Sequence, residues 1–205
     1  MEKLNNFFDN LFKIVPGGVF GLLSISIGIS IDIIGLIISG YSIYTHSVSS
    51  LGIIPGPVGL LFNIGLIFSG IFAVIFDIYL CKIISREFAD EKAIKLIVAI
   101  SVISSFSLLL VGVFPLSQES YTIFVLHLVF AFTAFIGGLI FIFVYSLFML
   151  KDPKFLKILA YSGFVVCGFF ALYLFTQLPI AEWLAVFAII LWTLINASYM
   201  IYKKI

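Results

Sequence analysis

Apolar residues fill the chain in six long runs, about 19–42, 58–81, 94–114, 122–149, 156–176 and 182–202, and the stretches between them carry every proline and most of the charge. Roughly 20 apolar residues cross the hydrocarbon core of a bilayer as a helix, so the pattern predicts six transmembrane helices. Ahead of the first run, Leu4, Phe7, Phe8, Leu11, Phe12 and Val15 recur at steps of three and four, with Lys3, Asn5, Asn6, Asp9, Asn10 and Lys13 between them. That spacing predicts a short amphipathic helix over 3–15, lying in the membrane interface as an anchor for the first span.

One segment departs from this rhythm. From Ser24 to Gly35 the chain reads SISIGISIDIIG, an alternation that imitates a half-buried strand. A transmembrane barrel would need polar lumen residues alternating with apolar ones in every strand, whereas most of the runs are apolar all round. The alternation is therefore local, and Asp32 belongs to a helix. Pro16, Pro55, Pro57, Pro115, Pro153 and Pro179 all fall between or at the edges of the runs, where a missing backbone donor does least harm. The fold class expected is all-α: a polytopic integral membrane protein whose single domain, 1–205, holds six spans and the interfacial helix.

Composition agrees, with 63% hydrophobic and 10% charged residues against about 45–50% and 25% in soluble domains. Little chain is left for a soluble domain, and membrane lipids, not nucleic acid, are the expected surroundings. Cys81 and Cys167 have neither disulfide-framework nor zinc-type spacing, so no metal is expected; the sequence leaves any cofactor open. A cleavable signal peptide is not expected either, because the first run is too long and lacks a small-residue cleavage site after a short core.

Charge fixes the threading. All eleven lysines and arginines lie on one side of a six-span path: Lys3 and Lys13; Lys82, Arg86, Lys92 and Lys95; Lys151, Lys154 and Lys157; Lys203 and Lys204. The loops at about 43–57, 115–121 and 177–181 have none. The positive-inside rule then predicts that both termini are cytoplasmic. Tyr41, Tyr44, Tyr121, Trp183, Tyr199 and Tyr202 mark span ends, as interfacial aromatics do.

Candidate chemistry follows the small residues. Gly21, Ser24, Gly28, Asp32, Gly35 and Ser39 share one helical face; so do Gly59, Asn63, Gly70, Ala73 and Asp77, and likewise His127, Ala131, Ala134 and Gly138. Small-residue faces are where membrane helices approach closely, so these polar groups are expected to look inward. A carboxylate at mid-bilayer costs roughly 2.5–3.5 kcal/mol or more, so Asp32 requires a partner, a water pocket or a proton. Asn63, His127 and nearby serines are its expected companions. His46, Ser47, Ser49, Ser50, Gln118 and Glu119 lie in the loops above, with Gln177 and Glu182 bordering the last one. The candidate site is accordingly Asp32, Asn63, His127, His46, Ser49, Ser50 and Glu119 in the outer half of the bundle. Asp77, near Lys82 and Arg86, is expected to form an interfacial ion pair instead.

The segments HSVSSLGIIPGPVGLLFNIGLIFSG (46–70), VGVFP (111–115) and LHLVFAFTAFIGG (126–138) resemble a prokaryotic membrane family, domain-of-unknown-function family 998. The shared features are a serine-rich turn (Ser49, Ser50, Leu51, Gly52), the pair Phe62–Asn63, the Val111–Pro115 end of span three and a histidine early in span four. The resemblance implies six spans in a prokaryotic cell membrane and draws attention to Asn63, the serine turn and His127; it implies no activity. More distantly the layout is similar to that of eukaryotic FRAG and DRAM proteins, six-span proteins linked to lipid remodelling or autophagy.

Three function classes remain. One is an outward-facing polar pocket that binds or transports a lipid headgroup, a small ligand or a proton. Another is an accessory subunit of a membrane complex, in which the polar groups only lock helices together. The last is a lipid-modifying enzyme with His127 as general base and Ser47, Ser49, Ser50 or a water as nucleophile. No G-x-S-x-G elbow or H-E-x-x-H is present for it. A haem would need two histidines facing each other across the bundle, and His46 lies in a loop.

Overall fold

The computed structural model describes residues 2–84, 91–117 and 119–205, with the backbone alone for 2–5. Arg86 and Gln118, both named in the expectations above, lie outside the described residues, as does the side chain of Lys3. Among the described residues, seven α-helices follow in chain order: α1 (Glu2–Ile14), α2 (Gly17–Ser39), α3 (Pro57–Ile84), α4 (Glu91–Val113), α5 (Tyr121–Lys151), α6 (Lys157–Thr176) and α7 (Pro179–Lys203). The last six are long and apolar enough to cross a membrane, as the six runs predicted, and no strand occurs among the described residues.

Local chemistry sets their ends. Gly40, in the left-handed region at φ +66°, closes α2 by donating its N–H to Leu36 O, so this helix stops short of residue 42. Pro57 and Pro179 open α3 and α7, where the missing N–H would have had no helical partner.

Consecutive spans are neighbours in the bundle, as is usual for helices that follow one another in the chain. α2 packs on α3, α3 on α4, α4 on α5, α5 on α6 and α6 on α7, and α7 returns to α2, closing a six-membered ring. Between helices in lipid the attraction comes from close packing and hydrogen bonds, and both are visible. A Cβ at Gly70 would lie 2.8 Å from the Leu109 backbone nitrogen, and one at Gly112 would lie 2.5 Å from Asn63 O, so α3 and α4 touch backbone to backbone. Ser24 and Ser69 bond reciprocally across α2 and α3, each hydroxyl reaching the other's carbonyl at 2.9 and 3.0 Å.

Two apolar layers fill the ring. At the end where the basic residues gather, Phe20, Phe76, Leu80, Phe141, Tyr145 and Met149 belong to the larger cluster. The helix α1 docks there through Leu11 and Phe12, followed by Val15 just past its end, with the Phe12 ring 5.0 Å from that of Tyr79 and Asp9 paired to Lys82 at 2.8 Å. At the opposite end the long α2–α3 connection folds back on the bundle. Its 3-10 turn, Val48–Ile53, buries Val48 and Leu51 against Ile31, Phe62 and Trp183. This plug is tied down by Trp183 Nε1 donating to His46 O at 2.9 Å and by Asn63 Nδ2 donating to Gly52 O at 2.9 Å.

Candidate functional site

Between the two apolar layers the ring leaves a cavity of about 210 Å³, and every one of α2 to α7 contributes to its wall together with Val48 and Ser49 of the plug. It exceeds the roughly 150 Å³ engineered cavity that admits benzene. Most of the wall is aliphatic or aromatic, including Phe76, Phe135, Phe141 and Phe170. Three carboxyl groups interrupt it, Asp32 on α2, Asp77 on α3 and Glu182 on α7, while no lysine, arginine or histidine lies among the described wall residues.

The three acids have different surroundings. Glu182 Oε1 accepts from Ser49 Oγ at 2.8 Å and from the Ser49 backbone N–H at 3.3 Å, which latches the plug to the first turn of α7. Asp77 Oδ2 accepts from Ser105 Oγ of α4 at 2.5 Å. Asp32 is only 3% exposed and makes no hydrogen bond or ion pair among the described residues. The wall serines offer it no free donor, because Ser24 and Ser69 bond each other, Ser104 donates to Ala134 O, and Ser105 and Ser49 serve the other two acids.

Of the seven residues expected to form the site, Asp32 and Ser49 meet at this cavity. Asn63 is turned to Gly52 O beneath the plug. His127 is buried between α4 and α5, where its Nδ1 bonds Phe114 O at 2.8 Å; a carbonyl only accepts, so Nδ1 carries the hydrogen. His46 stacks on Tyr41 with ring centroids 4.0 Å apart and bonds Thr45 Oγ1 at 2.9 Å. Ser50 bonds Ser47 at 3.0 Å, and Glu119 is exposed, its N–H turned to Ser117 Oγ.

Asp77 and Glu182 were not among the expected site residues, yet both line the cavity. Asp77 accepts from Ser105; of the two cations expected near it, Lys82 pairs with Asp9 and Arg86 lies outside the described residues. The signal for Asp77 was its place on the small-residue face of α3. For Ser105 it was the serine series Ser101, Ser104, Ser105 and Ser107, which gives α4 a polar face.

The family described as protein of unknown function (DUF998) matches residues 22–199, from the first third of α2 to near the end of α7. Neither curated proteins nor solved structures provide a match, so the likeness to FRAG and DRAM proteins gains no support from them. With all six apolar helices inside or overlapping the matched stretch, the chain belongs to the DUF998 family and is a multi-pass membrane protein.

Proposed function

We propose that this protein binds a small ligand in the central cavity of its six-helix ring, seated in a prokaryotic cell membrane with both termini cytoplasmic. The observation that carries the reading is Asp32, a buried carboxyl facing a cavity with no bond to any described residue. A group that only locked helices together would be engaged by a neighbouring helix, because leaving it unpaired in a low-dielectric interior costs energy. Asn63 and His127 fit that structural description, each bonded to a carbonyl of an adjoining segment; Asp32 does not. The described lysines, which gather at one end of the ring, favour a cytoplasmic placement of that end.

The test is mass spectrometry of small molecules carried through purification by the wild type, by Asp32→Asn and by Ala134→Phe, whose ring would occupy the cavity. The wild type retains a stoichiometric molecule, Asp32→Asn retains less and Ala134→Phe none, with all three folded. Folded variants whose retained molecules match the wild type's, together with a protein partner held equally by all three, would favour the accessory-subunit reading.

A further inference from the structure

The charge and shape of the cavity say more about the occupant. We propose that it accepts a primary ammonium group carried on a hydrocarbon body, with the ammonium at Asp32 and the body along the apolar wall; this rests on the ligand-binding reading above. Two of the three carboxyls are satisfied by serine donors, leaving Asp32 with unused acceptor positions. A phosphate or carboxylate ligand would meet three acids and no cationic side chain among the described wall residues. An ammonium group supplies both the counter-charge and the N–H donors that Asp32 lacks.

Other cations suit the site less well. A hard metal ion takes six or more oxygen ligands, and no group of three His, Cys, Asp or Glu side chains that could hold a metal occurs among the described residues. A proton has no use for about 210 Å³ of mainly apolar space. The shape matters as well. Ser24 and Ser69 are level, Asp32 lies eight residues from Ser24 toward the plug, and Asp77 lies eight residues from Ser69 the other way. At a rise of 1.5 Å per residue the levels of Asp32 and Asp77 are therefore about 24 Å apart along the helices. The cavity is long and narrow, with its unsatisfied carboxyl toward one end, which matches an alkylamine. Aromatic rings along the wall add favourable faces for the cation.

The experiment is calorimetric titration of the purified full chain in phosphatidylcholine discs with n-hexylamine, 1-hexanol and hexanoate. Hexylamine binds at least tenfold more tightly than hexanol and at least a hundredfold more tightly than hexanoate. Asp32→Asn lowers hexylamine affinity at least tenfold and leaves hexanol unchanged; Asp32→Ser serves the same purpose should the asparagine variant not fold. Ala134→Phe abolishes all binding. Repeating the titration in phosphatidylethanolamine discs identifies the source of the amine, since loss of hexylamine binding there means that the lipid's own ammonium competes, and unchanged binding means a free amine. Equal affinity for hexanoate, or hexylamine affinity indifferent to Asp32, overturns the ammonium assignment while the cavity reading survives through Ala134→Phe. If no probe shows binding that Ala134→Phe removes, both fall.

Discussion

Asp32, Asp77 and Glu182 share one wall, and what separates them is the donor each has found. Ser105 serves Asp77 and Ser49 serves Glu182, whereas Asp32 goes unserved. Removing one partner from a buried hydrogen bond leaves the other unsatisfied and costs about 1–3 kcal/mol, while replacing both with apolar groups is close to neutral. Ser105→Ala should therefore destabilise the protein by that order and lower its thermal midpoint, and Asp77→Leu combined with Ser105→Ala should recover most of the loss. Asp32→Asn has no such bond to break and should leave the midpoint unchanged or raised. Thermal unfolding in a fixed detergent measures all three, and a fall for Asp32→Asn as large as that for Ser105→Ala would make Asp32 a structural tie. The inward direction of Asp32 and Asp77 was legible in the sequence because both sit on small-residue faces. Their partners were not, since which hydroxyl meets which carboxyl depends on the vertical register of two helices that nothing local dictates.

At the level of elements the spans were the most legible feature, because length and hydropathy in lipid leave a helix as the one way to satisfy twenty backbone groups. Their ends differed by a few residues from the apolar runs where Gly40, Pro57 and Pro179 set them. The plug was not legible. Its serines and glycine read as a turn, and only Ile31, Phe62 and Trp183 from three separate helices turn it into a buried layer. The small-residue faces were meaningful in a graded way. At Gly70 and Gly112 a methyl group would run into the backbone of the neighbouring helix, so Gly70→Ala and Gly112→Ala should each destabilise by about 1–3 kcal/mol. Gly168 meets nothing within 4 Å, and Gly168→Ala should be neutral or stabilising by about 0.5–1 kcal/mol. Equal effects at all three positions, read from unfolding midpoints, would argue against the backbone contact of α3 and α4.

For the whole molecule, the ring and the charge pattern support one arrangement in the bilayer. Among the described residues, α1, the C-terminal end of α3, the α5–α6 connection and the end of α7 lie at the basic end, and the plug, the start of α5 and the α6–α7 corner lie at the other. Cys81 and Cys167 are buried, so single cysteines placed at Glu119 and Lys203 would be the accessible ones. A membrane-impermeant maleimide should label the first in intact cells and the second only after permeabilisation; the reverse pattern would invert the proposed orientation.

The latch between Ser49 and Glu182 makes the plug a participant in whatever the cavity does. Ser49 holds Glu182 with one face of its turn and forms part of the chamber wall with another. A floor that doubles as a hinge pin registers the load above it. By reciprocity, an occupant that grips better when the turn is seated would seat the turn more firmly by the same factor, and two donors on one serine would carry that coupling.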